Sequence, residues 1–116
     1  MAALVDSADA LGTFPRWSIG RMYAIAFDLD TEALQKNYGS PSWQNAYRDI
    51  RDALFDRGFT WQQGSVQFGG PDVTPVTCVL AVQDLNRRFA WFRRSVRDIR
   101  MLRIEESNDL RSVLDP

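Results

Sequence analysis

From Tyr23 to Asp30 the chain alternates between two kinds of side chain. Tyr23, Ile25, Phe27 and Leu29 are large and apolar, whereas Ala24, Ala26, Asp28 and Asp30 are small or acidic. A period of two predicts a β-strand with one face in the core. An acid ending such a strand is costly to bury unless an arginine, a metal or a substrate pairs with it. Past the strand the period lengthens. Leu34 and Tyr38 lie one turn apart, Asp30 or Thr31 is placed to cap that turn, and Gly39 ends it. Ser40 and Pro41 suit the start of a longer helix, in which Trp43, Ala46, Tyr47, Ile50, Ala53 and Leu54 form a core stripe up to Gly58.

Alternation returns from Phe59 to Phe68. Phe59 and Trp61 alternate with Thr60 and Gln62, and Val66 and Phe68 with Gln67, with Gly64-Ser65 as a hairpin turn or bulge between them. Gly69-Gly70-Pro71-Asp72 reads as a turn. After it, β-branched residues favour a strand, but Thr74-Pro75 opens a helix and Cys78, Val82, Leu85 and Phe89 keep a helical period. The period predicts the helix. Trp91 and Phe92 form an apolar knot, and 97–106 read as a last strand with Ile99 and Met101 on one side and Leu102 and Ile104 on the other.

The order strand, helix, strand, strand, helix, strand predicts an α+β, ferredoxin-like βαββαβ domain: a four-stranded antiparallel sheet with two helices on one face. The other face is left open, and a second copy of the chain is the common cover, so a homodimer is expected. Residues 1–21, punctuated by Ser7, Asp9, Gly12, Pro15 and Gly20, read as a flexible N-terminal extension. The domain is expected at 22–106, and 107–116 read as a polar, loosely packed tail.

Composition narrows the chemistry. A length of 116 residues, 45% apolar and 25% charged, suits one globular domain. No apolar run is long enough to cross a bilayer, so no membrane partner is expected. Cys78 is the sole cysteine, which excludes an intrachain disulfide and points to a reducing cytoplasm. The chain has no histidine, which excludes serine–histidine and cysteine–histidine triads and the usual zinc sites. Proton transfer falls to carboxylates, arginine, tyrosine or metal-bound water. The net charge is −1, an argument against nucleic-acid binding, yet Arg87, Arg88, Arg93, Arg94, Arg97, Arg100 and Arg103 face only Asp98 within one short stretch. Arginine grips phosphate with a planar fork and stacks on bases; a solvated helix face is the plainer reading of the same run.

Three blocks, in order, resemble the virulence-associated protein D (VapD) family: Met22-Tyr23-Ala24-Ile25-Ala26-Phe27-Asp28-Leu29, then Gly58-Phe59-Thr60-Trp61-Gln62-Gln63-Gly64-Ser65, then Trp91-Phe92-Arg93-Arg94-Ser95-Val96-Arg97-Asp98-Ile99-Arg100. They span the expected domain. The resemblance implies a ferredoxin-like homodimer akin to the small CRISPR-associated endoribonucleases. It also implies RNA cleavage, as the toxin of a toxin–antitoxin pair or as a virulence factor. An antitoxin protein is then an expected partner. In such relatives an aspartate at the end of the first strand lies near the dimer axis, and Asp28 matches it by position.

RNA brings its own nucleophile, the 2′-hydroxyl, or a metal supplies hydroxide; both routes need a base or metal ligand and cations at the phosphorane. Two copies of Asp28 at a dimer axis would share a proton or hold Mg2+, with Ala24 and Ala26 allowing the close approach. Asp98 is a second candidate carboxylate, set against a plain ion pair with an arginine. Ser65 offers a hydroxyl, set against a turn role. Arg93, Arg94, Arg97 and Arg100 are the candidate RNA-binding residues, with Arg97 and Arg100 equally suited to holding Asp28 and Asp98. Asp30 reads as a helix cap, and Trp91 and Phe92 as core rather than base-stacking residues. A catalytically inactive RNA-binding scaffold and a protein-docking module are the competing classes.

Overall fold

The computed structural model describes residues 22–115, so the expected extension at 1–21 lies outside the described residues. The strands are β1 (Met22–Leu29), β2 (Phe59–Gln63), β3 (Val66–Gly69) and β4 (Val96–Ile104). They form one four-stranded sheet of order β2-β3-β1-β4 with every pairing antiparallel, as the βαββαβ reading expects. Helices α1 (Thr31–Asn37) and α2 (Asn45–Phe55) follow β1, and α3 (Pro75–Arg88) and α4 (Phe92–Ser95) follow β3. The first connection holds the short and the longer helix that the period predicts, and the second adds the short α4 to the one expected helix.

The local reasons are readable. Asp30 caps α1 by accepting from the Ala33 N–H. Ser40 and Pro41 do not start α2. The Ser42 N–H turns back to the Ser40 hydroxyl, and the Asn45 and Ala46 N–H groups bond three residues back, to Ser42 and Trp43. Those tight turns postpone the helix to Asn45. Helix α3 forms despite its β-branched residues because Thr74 and Thr77 close a reciprocal capping box and Pro75 sits at the first position. Gly64 takes φ +51° in the β2–β3 turn, and the register slips between Trp61 and Gln63, so the hairpin holds both a turn and an irregularity.

The core lies between the sheet and the helices. Ile25, Phe27 and Leu29 of β1 meet Leu34, Ile50, Leu54, Ala81 and Leu85 of the helices. On the open face Ala24 is flanked in register by Phe68 and Leu102 and is fully buried within one chain, so it presents no surface to a second one. Strand β3 inverts its expected faces. Gln67 lies opposite Ile25 on the core side, buried, its amide without a hydrogen-bond partner among the described residues, while Phe68 and Val66 join the open face. Trp91 and Phe92 are buried, Trp91 against Tyr38, Phe89 and Phe92, which removes both from base stacking. The tail ends in a 3-10 turn at Arg111–Leu114, with Leu110, Val113 and Leu114 exposed.

A candidate nucleic-acid site at the carboxyl end of β1

The end of β1 is built around an irregularity. Asp28 pairs with Asp98, but the next residue, Leu29, pairs with Val96, so Arg97 is an extra residue on β4. Such a bulge kinks its strand and re-aims a side chain. Here the Arg97 guanidinium lies 3.5 Å from the Asp28 carboxylate and 3.9 Å from that of Asp30. Asp28 is not buried, against the sequence expectation: its side chain is 59% exposed. β1 ends one residue further on, and among the described residues the carboxylate stays largely open to solvent. Asp30 is anchored twice, by its cap to α1 and by its N–H, which donates to the Ser95 carbonyl at 2.8 Å.

The other predicted residues fall around this corner to different degrees. Asp98 faces Asp28 across the strands and binds Arg100 at 2.9 Å, the plain ion pair weighed for it. Arg100 is thereby engaged with Asp98 and not with Asp28. Ser65 lies in the β2–β3 turn, and its carbonyl accepts the Phe27 N–H at 3.2 Å, which sets the turn beside the end of β1. Arg93 and Arg94 are exposed on α4, directly before Ser95, and neither has an ion-pair partner among the described residues.

Two features escaped the sequence. Tyr47, read as core, stacks on Phe27 with ring centroids 6.5 Å apart, and its hydroxyl feels Asp28. Burial first, and then the Asp28 charge, raise the phenol above its ordinary value of 10.0. At neutral pH it is an O–H donor and not a base. The second is Asp84 on α3, a nearly buried carboxylate held by Arg57 at 3.3 Å, Arg88 at 3.4 Å and Arg87. One acid among three guanidiniums leaves the end of α3 positive, and this basic ridge continues in sequence through Arg93 and Arg94 of α4 to Ser95, whose carbonyl holds Asp30. The spacing of Asp84 to Arg87 and Arg88 on one helix was a visible signal; the contribution of Arg57, from another element, was not.

The fold and this corner define a class of protein: a small α+β domain presenting a carboxylate and a guanidinium together at a strand end, a set suited to phosphodiester chemistry. No family model matches the chain. It is, however, 53% identical over 89 residues to Endoribonuclease VapD 2 of Riemerella anatipestifer, a match covering 77% of this chain and 95% of that protein. It is 48% identical over 89 residues to the Endoribonuclease VapD homolog of Helicobacter pylori, covering 77% and 92%. To Endoribonuclease VapD of Dichelobacter nodosus it is 41% identical over 93 residues, covering 80% and 97%. The chain belongs to the VapD family.

Proposed function

We propose that the chain is an endoribonuclease in which Asp28 acts at the scissile phosphodiester and Arg97 offsets the charge that develops there. The supporting observation is the bulge, which puts the Arg97 guanidinium 3.5 Å from an exposed Asp28; the names of the relatives support the RNA substrate. In the histidine-free route Asp28 takes the proton of the 2′-hydroxyl, and the freed oxygen attacks the adjacent phosphorus. The bond to the 5′-oxygen breaks, that oxygen takes a proton from water, and Asp28 gives up its own proton to solvent. The products are a 2′,3′-cyclic phosphate and a 5′-hydroxyl. Arg97, with the ridge of Arg93 and Arg94, neutralises the phosphorane and draws in the strand. Asp98 and Arg100 brace β4 beside Asp28, and Ser65 shapes the turn that borders it.

Magnesium enters this reading through Asp28. Among the described residues no three acidic or cysteine side chains gather. Magnesium accepts one or two carboxylates together with substrate phosphate, a set that Asp28 and RNA supply, with a second copy's Asp28 as a further ligand. When bound it supplies Lewis-acid stabilisation of the phosphoryl oxygens. The chain acts as a homodimer paired through the open sheet face. As a toxin it would be restrained by an acidic antitoxin docking on the basic ridge. Asp28→Asn is expected to abolish cleavage of a single-stranded RNA while leaving the oligomeric state unchanged. Cleavage assayed with and without EDTA separates the two routes. An Asp28→Asn variant that cleaves at the wild-type rate overturns the reading in favour of a scaffold.

A further inference from the structure

A ribonuclease holds bases as well as phosphates, and the buried Trp91 and Phe92 do not serve for that. On the open sheet face the β2–β3 hairpin and the tail enclose a groove of about 860 Å³, a size that suits a ligand site. Val66 and Phe68 form its apolar floor, with Leu110 and Leu114 of the tail beside them. The register slip in β2 brings two consecutive residues, Gln62 and Gln63, to the same groove. The side-chain hydrogen bonds of β2 among the described residues are those of Thr60 and Trp61, so both glutamine amides are free. Asp109 and Arg111, the charged residues of the lining, hold each other at 2.5 Å and cancel.

The groove and Asp28 share a face. Val66 pairs with Ala26, and Asp28 lies two residues beyond Ala26 on the same side of β1, so the two are diagonal neighbours, roughly 7–8 Å apart. Arg97 reaches Asp28 from β4, which flanks β1 on the side away from β3. An RNA strand crossing the face from the groove to Arg97 therefore passes the Asp28 carboxylate. Leu102 lies outside the groove, so two copies that pair through the β4 half of the face leave it open.

We infer that this groove takes the unpaired base beside the cleaved phosphate and that Gln62 and Gln63 read its edge. The inference rests on the endoribonuclease reading and adds to it a source of base preference. A side-chain amide sets a donor beside an acceptor, an arrangement that matches the edge of a base. The apolar floor covers the face of the ring. A lining without net charge suits a neutral base, while the phosphate falls to Arg97. A base paired in a duplex cannot enter, so the site selects single strands.

The test measures binding of fluorescent single-stranded 2′-O-methyl RNAs in EDTA, probes with no 2′-hydroxyl nucleophile, varied one base at a time. Wild type is expected to discriminate among the four bases by about 5- to 150-fold at one position, which adjoins the bond it cleaves in the unmodified strand. In the double variant Gln62→Leu/Gln63→Leu the four probes bind within about threefold of one another, as expected once the edge contacts are gone. The slope of log affinity against log salt stays unchanged, because the amides neutralise no phosphate. Thermal unfolding and light scattering verify the fold and the oligomeric state. Three results overturn the base site: wild type that binds all four bases alike, discrimination that survives in the double variant, and a loss equal for every base. A double variant with an altered oligomeric state also overturns it and assigns the groove to contact between copies. The endoribonuclease reading stands through all four as long as wild type cleaves unmodified RNA and Asp28→Asn does not. Failure of wild type to bind or cleave any RNA removes both.

Discussion

Asp84 holds one negative charge among three guanidiniums, and this ties the strength of the fold to pH. Burial raises its pKa, but Arg57, Arg88 and Arg87 outweigh that and hold it below the ordinary 3.8. A carboxylate whose folded pKa lies below its unfolded value stabilises the fold above the unfolded value, and this contribution is lost as pH falls through the folded one. Asp84→Asn is therefore expected to lower the Tm at neutral pH and to flatten the further fall in Tm below about pH 4. Thermal unfolding across that range checks it; an unchanged acid limb would assign acid sensitivity to other carboxylates. Single residues were legible in sequence where their partners were local. Asp30 as a cap needed only Ala33, three residues on. Gln67 was not legible, since alternation marked Val66 and Phe68 as the apolar face of β3 and the structure turns that face away from the helices. The pairing with Ile25 sets the register, and a strand's own pattern cannot overrule the register of its neighbours.

At the scale of elements, the bulge in β4 is the part that the sequence concealed. The strand itself, with Ile99 and Met101 on the core side opposite Phe27 and Ile25, follows its pattern. The extra residue at Arg97 depends on how two strands meet, and nothing in the alternation from 97 to 104 announces it. This makes a sharp prediction. Deleting Arg97 makes Val96 the immediate neighbour of Asp98, so the ladder from Met22–Ile104 to Leu29–Val96 closes without an interruption and no other pair changes register. The deletion variant is expected to fold with a Tm close to wild type. It should lose RNA cleavage by about 100-fold, the order of magnitude for removing one charge-stabilising donor. Arg97→Ala keeps the bulge and loses the same factor, whereas Arg97→Lys recovers part of it. Cleavage rates of the three variants at saturating RNA decide the matter. Full activity in the deletion variant would show that Arg97 only braces Asp28 and Asp30. The boundaries of α2 belong to the same scale: the core stripe from Ala46 to Leu54 was legible, but the hydrogen bonds that delay its start arise from turns, which leave no periodicity to read.

For the whole molecule, the proposed homodimer has two surfaces to choose between. One lies along α3 and β4, where Val79 and Met101 are exposed beside a cavity of about 250 Å³ that reaches Ile25 and Ile99. The other is the open sheet face, where Phe68, Val66 and Leu102 surround the small residues of β1 and the tail leaves Leu110, Val113 and Leu114 in solvent. The sheet face is favoured by what it carries. Asp28 and Asp98 lie on it, in register with Ala26 and Arg100 one step further along the strands, so pairing there alone brings two copies of the acidic corner together. It is also the face to which β3 commits its apolar side chains, Val66 and Phe68 lining a groove there with Leu110 and Leu114 of the tail, a choice that leaves Gln67 in the core. With Ala24 already buried, the contact falls on its larger neighbours, Leu102 first. Leu102→Glu is expected to turn the dimer into a monomer and to reduce RNA cleavage with it, while Val79→Glu leaves both unchanged. Size-exclusion chromatography with light scattering, run alongside the cleavage assay, distinguishes the cases. A Val79→Glu monomer would move the interface to α3. If that monomer also retained full cleavage, each Asp28 would act within its own chain, and a magnesium site shared between two copies would be excluded.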